Sequence, residues 1–163
     1  MKILMVCLGN ICRSPLAEGV LQTLAKKRGL NWEIASAGTA GYHIGEAPHV
    51  LSQKVAKVNG IDISEQRCRK FSTHDFVYYD QILVMDQQNL AEVLSLAPNP
   101  DAASKVSLLL DTLYPGENRE VPDPWYGKED GYHEVFELIT KGCEAILNSH
   151  LSVVNSQWES PND

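Results

Sequence analysis

A thiol at Cys7 and a guanidinium at Arg13 stand near the N-terminus, in the run Cys7-Leu8-Gly9-Asn10-Ile11-Cys12-Arg13-Ser14. Gly9 and Asn10 are residue types that tolerate positive φ, so the run can curl until its N–H groups point inward as a nest for an oxyanion. Leu8, Gly9, Asn10, Ile11, Cys12, Arg13 and Ser14 are therefore the candidates for holding a phosphate group. A helix following directly would set its N-terminal dipole behind the same loop. Arg13 adds a planar, two-pronged clamp that Lys could not reproduce. That field stabilises a thiolate at the loop's entry, and the Ser14 hydroxyl is placed to donate to it. A thiolate in a phosphate cradle points to phosphoryl transfer onto cysteine. The plainer alternative is a buried structural cysteine at a strand end. The strand before, Gly-Asn within and Ser-Pro after the run favour the chemical reading.

Expelling a poor leaving group needs a proton as the P–O bond breaks. Asp123 lies between Pro122 and Pro124, and the following proline confines it to extended conformations. Locally it reads equally well as a general acid or as an ordinary turn aspartate. Tyr42, Trp125 and Tyr126 are candidate aromatic walls beside Leu8 and Ile11, a lining that would favour aryl over alkyl phosphates; surface packing is the alternative. His43, His49, His74, His133 and His150 lack paired ligand spacing and read as surface or capping residues. Neither a metal nor a cofactor is expected.

Positioning these groups requires a scaffold, and the pattern is that of βαβ units. Strands are predicted at Lys2 to Val6, Trp32 to Ala37, Gln81 to Met85 and Lys105 to Leu110. A first helix is predicted from Ser14 as N-cap with Pro15 at its first position, carrying Leu16, Val20, Leu21 and Leu24 at helical spacing. Further helices are predicted from Pro48 to Val58, Gln87 to Leu96 and Gly131 to His150, with a Pro- and Gly-rich loop from Tyr114 to Gly127. The expected fold is one doubly wound α/β domain over residues 1–154, a four-stranded parallel sheet flanked by helices with the anion loop after its first strand. Residues 155–163 read as a polar, frayed tail.

Composition narrows the partners. At 163 residues, 44% hydrophobic and 21% charged, the chain suits a single globular core. A net charge of −7 argues against general binding to nucleic acid or to anionic membranes, which needs clustered Lys and Arg. The apolar run Ile3 to Leu8 is too short for a signal segment or a span. The expectation is a cytoplasmic protein with reduced thiols, monomeric or weakly self-associating.

The segment from Val6 to Glu18, with its Cys7…Arg13-Ser14-Pro15 core, resembles the signature of the low-molecular-weight protein tyrosine phosphatases. The similarity continues through Ser36-Ala37-Gly38-Thr39, Met85-Asp86 with Asn89, and Asp123-Pro124-Trp125-Tyr126-Gly127. The resemblance implies a phosphatase of tyrosine-phosphorylated proteins with Cys7 as nucleophile, Arg13 as phosphate ligand and Asp123 as general acid. It further implies that Asn10, Ser14, Ser36 and Asp86 hold the loop in shape. Tyr42 stands where the family often has Trp, and Gln66 where some relatives have a His.

Two rival readings fit the loop less well. An arsenate reductase of the same fold would need relay cysteines after the third strand, and Gln81 to Leu110 has none; Cys68 and Cys143 read as plain core thiols. A phosphoprotein-binding module would have lost the thiol, the Arg or the acid, and all three are present. Cys12 is the expected redox partner of Cys7, since a loop wrapped around one phosphate brings the two within the Cα separation of about 7 Å that a disulfide tolerates. Packing beneath the loop is the alternative for Cys12.

Overall fold

The computed structural model describes residues 1–158. Four strands form one sheet in the order β2-β1-β3-β4: β1 is Lys2–Cys7, β2 Glu33–Gly38, β3 Gln81–Val84 and β4 Val106–Leu108. All pairings are parallel, with Cys7 opposite Gly38, Met5 between Ser36 and Leu83, and Val84 opposite Leu108. The period of two along β1 divides the core. Ile3, Met5 and Cys7 face α1 (Arg13–Lys27) and α6 (Glu129–Trp158), among Leu16, Val20, Leu21, Ile139 and Cys143. Leu4 and Val6 face the other layer, with Phe71, Phe76, Ile82, Val84 and Val93. With both faces covered, β1 and β3 read as almost unbroken apolar runs.

The chain leaves β1 for β2 on one side and returns to β3 on the other. The carboxyl ends of β1 and β3 thus flank the switch point where open parallel sheets bind ligands. The doubly wound architecture and parallel sheet agree with the sequence reading; several boundaries do not. α1 begins at Arg13, with Cys12 at the cap position and no side-chain cap, because the Ser14 hydroxyl is engaged elsewhere. α2 is Val50–Val58, opened by the His49 side chain, which accepts from the Leu51 N–H, so Pro48 precedes the helix. The fourth strand is shorter than Lys105 to Leu110 because Leu109–Asp111 turns into a 3-10 segment. Two short helices, α3 (Asp75–Tyr78) and α5 (Pro100–Ser104), carry too few residues to show a period; α4 is Gln87–Ser95. α6 runs on through Trp158, so the segment read as a tail from Asn155 begins as helix, and residues 159–163 lie outside the described residues.

Candidate active site

β1 delivers Cys7 to the sheet's carboxyl edge, where it is buried. The chain then reverses through Asn10, whose φ of 57° is the left-handed conformation that Asn accepts more readily than most residues. The turn carries the Asn10 N–H to 3.3 Å from the Cys7 sulfur. On the other side the Ser14 Oγ stands 3.0 Å from the same sulfur. Asn10 spans the loop from within: its Nδ2 donates to Ser14 Oγ at 2.8 Å and to Ser36 Oγ, at the end of β2, at 2.9 Å. Its Oδ1 accepts from the Arg69 N–H at 3.0 Å.

Arg13 is only 2% exposed, and its Nη1 is held by acceptors from two distant segments. Nη1 donates to Asp86 Oδ2 at 2.6 Å and to the Val121 carbonyl at 3.0 Å; Nη2 lies 3.6 Å from Asp123 Oδ2. Burial works against the charged guanidinium, but the negative charge of Cys7, Asp86 and Asp123 outweighs it and raises the Arg13 pKa. Asp86 follows β3 and does a second task, capping α4 by accepting from the Asn89 N–H at 2.8 Å. Its contact is with Arg13 rather than with the loop backbone.

Asp123 makes the turn of its plainer local reading and also lines the cavity. Oδ1 accepts from the Trp125 N–H at 3.0 Å, an aspartate turn, and that turn leaves Oδ2 toward Arg13. Cys7, Arg13 and Asp123 line one cavity of about 210 Å³, with Leu8, Gly9, Ile11 and Cys12 from the loop and Tyr42, Trp125 and Tyr126 at its mouth. Tyr126 is almost wholly exposed and Tyr42 largely so.

Four residues near the site were given no role in it from sequence. His43 lines the cavity, hydrogen-bonded to Glu46 and tilted against Trp125 with ring centroids 5.6 Å apart. His49 packs edge-on against Trp125 and stacks on Tyr132, beyond the helix cap that sequence allowed it. Cys68, read as a plain core thiol, lies beneath the loop and donates its S–H to the Gly9 carbonyl at 3.1 Å. Burial first, then the charges of Cys7 and Glu46, pushes the Cys68 thiol up to about 11. Glu18 sits one turn into α1, where its carboxylate accepts from the Ser36 hydroxyl at 2.9 Å. Its signals in the sequence were its place at the end of the signature run and its spacing of one helical turn past Ser14. Gln66 lies outside this network, donating to the Pro15 carbonyl at 3.1 Å.

The fold and site together define a doubly wound α/β protein with a thiol-and-guanidinium loop at its switch point. The chain belongs to the family described as low molecular weight phosphotyrosine protein phosphatase, matched over residues 2–156. It is 39% identical to a low molecular weight protein-tyrosine-phosphatase of Bacillus subtilis, over 91% of this chain and 94% of that protein. A solved protein tyrosine phosphatase of Entamoeba histolytica superposes with a TM-score of 0.87 at 35% identity, covering 93% of this chain and 97% of the other. A solved arginine phosphatase of Drosophila superposes with a TM-score of 0.86 at 32% identity, covering 92% and 98%. The protein is thus a phosphatase of the tyrosine-phosphatase kind, and among its described residues no helix is long and apolar enough to cross a membrane.

Proposed function

We propose that this enzyme hydrolyses phosphotyrosine on proteins, and small aryl phosphates, through a cysteinyl-phosphate intermediate. The Cys7 thiolate attacks phosphorus, forming the S–P bond as the bond to the phenol oxygen breaks. Asp123 gives its proton to that oxygen, so the phenol leaves neutral. Asp123, now a carboxylate, takes a proton from the water that displaces phosphate and returns Cys7 as thiolate. Arg13 and the N–H groups from Leu8 to Ser14 hold the three non-bridging oxygens. The observation that carries this reading is the shared cavity: Cys7 and Asp123 both line it, with the Asn10 N–H donating to the sulfur and the Ser14 hydroxyl in contact with it.

The reading calls on no metal or cofactor, because Arg13 and the loop amides supply the positive charge. It assigns the enzyme to a reducing, cytoplasmic setting in which the four cysteines stay free. Its partners are tyrosine-phosphorylated proteins, bound as a monomer or weakly self-associating chain, rather than nucleic acid or membrane.

The arginine phosphatase among the structural relatives makes phosphoarginine the rival substrate. The buried Ile11 and the aromatic mouth offer a flat ring apolar contact, whereas a guanidinium leaving group would find Asp123 as the one carboxylate among the described lining residues. The test compares peptides bearing phosphotyrosine, phosphoserine and phosphoarginine, with and without EDTA, in wild type and Cys7→Ser. Phosphotyrosine should be cleaved fastest, EDTA should change nothing, and Cys7→Ser should lose turnover while still binding inorganic phosphate. Retained turnover in Cys7→Ser, or faster release from phosphoarginine, overturns the reading.

A further inference from the structure

Glu18 belongs to the signature run, yet none of the steps above uses it. Its place emerges from counting hydrogens. The Arg69 N–H at Oδ1 fixes which end of the Asn10 amide is which. Nδ2 therefore carries the two donors, and both are spent, one on Ser14 Oγ and one on Ser36 Oγ. Each serine then has a single hydrogen of its own. That of Ser36 goes to Glu18 Oε1, and that of Ser14 has Cys7 Sγ before it at 3.0 Å. A carboxylate can only accept, so it sets the direction of the relay from its far end.

We propose that Glu18 is a positioning residue for the nucleophile: by accepting the only hydrogen of Ser36, it holds the Asn10 amide in the orientation that leaves the Ser14 hydroxyl donating to Cys7. Without that acceptor, Ser36 is free to turn its hydrogen toward Asn10, where a donor already stands. One arm of the amide then loses its partner, and the orientation of Asn10 rests on Arg69 alone. Ser14 can then rotate away from sulfur. Glu18 is suited to the task because α1 holds it one turn beyond Ser14 and because Gln22 Nε2 approaches its second oxygen at 3.4 Å. It does not line the cavity, so its effect falls on the readiness of Cys7 rather than on phosphate capture.

The inference rests on the thiolate mechanism, and its test keeps the two separable. p-Nitrophenyl phosphate turnover and the Ki of inorganic phosphate are measured for wild type, Glu18→Leu, Glu18→Gln, Ser36→Ala and the Glu18→Leu/Ser36→Ala double variant. Loss of one directed hydrogen bond should lower kcat about tenfold in Glu18→Leu, with the phosphate Ki within about twofold of wild type. Glu18→Gln keeps an acceptor oxygen and should recover most of that loss, and the double variant should be no slower than Glu18→Leu. Should Glu18→Leu fail to fold, Ser36→Ala cuts the next link and must show the same split between kcat and Ki. A wild-type kcat in Glu18→Leu or Ser36→Ala overturns the proposal. So does equal damage in Gln and Leu, or a Ki that rises in step with the loss of kcat. If Cys7→Ser is inactive while Glu18→Leu is unimpaired, the mechanism stands and only the role of Glu18 falls.

Discussion

Asp86 Oδ2 lies 2.6 Å from Arg13 Nη1, and the pair joins the first turn of α1 to the end of β3. Arg13 is buried and the Asp86 side chain is 21% exposed, so removing one partner strands a charge where water cannot repay it. Asp86→Ala should destabilise the fold by about 3 kcal/mol or more, and it also removes the α4 cap. Asp86→Asn keeps the cap acceptor and should retain part of the stability while still loosening Arg13. Urea denaturation of the two variants, beside their phosphate affinities, separates the two contributions. Arg13→Lys should lose nearly all turnover, since Lys cannot bridge Asp86 and Val121 while holding phosphate.

Asp123→Asn should slow phenyl phosphate far more than substrates with very acidic leaving groups, which depart without a proton. It should also remove one limb of the pH–rate profile. The Trp125 N–H to Asp123 Oδ1 contact can be kept by an Asn side chain, so the loop's turn is preserved. An equal loss across leaving groups would assign Asp123 to the turn alone.

Gly38 ends β2 opposite Cys7, and a β-carbon there would stand 2.9 Å from the Leu8 carbonyl oxygen and 3.1 Å from the Asn10 Cβ. Both neighbours belong to the loop that wraps the sulfur, and the nearer one is backbone. Gly38→Ala should therefore lower kcat/KM about tenfold or more, because small misplacements of reacting groups are costly. Kinetics together with a thermal melt check this: a variant with wild-type kcat/KM would show that the loop moves aside freely.

Acid sensitivity should trace in part to His49. Its Nδ1 accepts from the Leu51 N–H at 3.1 Å, which requires the neutral ring, and burial lowers its pKa below the ordinary 6.5. The stability it contributes is present above that value and is lost as pH falls through the lower, folded-state pKa. His49→Asn, a non-titrating cap, should flatten this part of the stability curve as pH falls below 6.5. Coincident wild-type and variant curves in denaturation would remove His49 from the account.

Cys12 sits in the same cavity as Cys7, with its sulfur 3.7 Å from the Tyr132 hydroxyl. Burial pushes its thiol up to about 12, against the opposing hydrogen bond of Tyr132, with the charge of Cys7 adding to the rise. If peroxide converts the Cys7 thiolate to a sulfenic acid, Cys12 can condense with it, releasing water and leaving a disulfide. A thiol held so high attacks slowly, so disulfide formation should quicken as pH rises. Wild type should regain activity after a thiol reductant, Cys12→Ser should regain little, and phosphate should protect both. Equal recovery, with no Cys7–Cys12 peptide by mass spectrometry, would leave Cys12 as packing.

The curl of the first loop was legible without any structure, because it is local. Cys7, Gly9-Asn10 and Arg13 lie between a strand and a helix, and a chain that short between two such elements has few ways to close. The apolar runs of β1 and β3 likewise announced a sheet covered on both faces. Where the reading missed, a distant partner had overridden a local preference. Ser14 looked like a helix cap and instead bonds Asn10 and faces Cys7, because Arg69, from a segment 59 residues away, orients the Asn10 amide. Asp86, Val121 and Asp123 meet at Arg13 only because the strand order β2-β1-β3-β4 gathers three separate loops at one edge. Cys68 reaches the Gly9 carbonyl, and Glu18 the Ser36 hydroxyl, in the same way. Residue type and spacing determined which groups the loop brings together; strand register and side-chain hydrogen bonds across the fold decided which distant residues meet it, since those contacts exist only once the sheet has assembled.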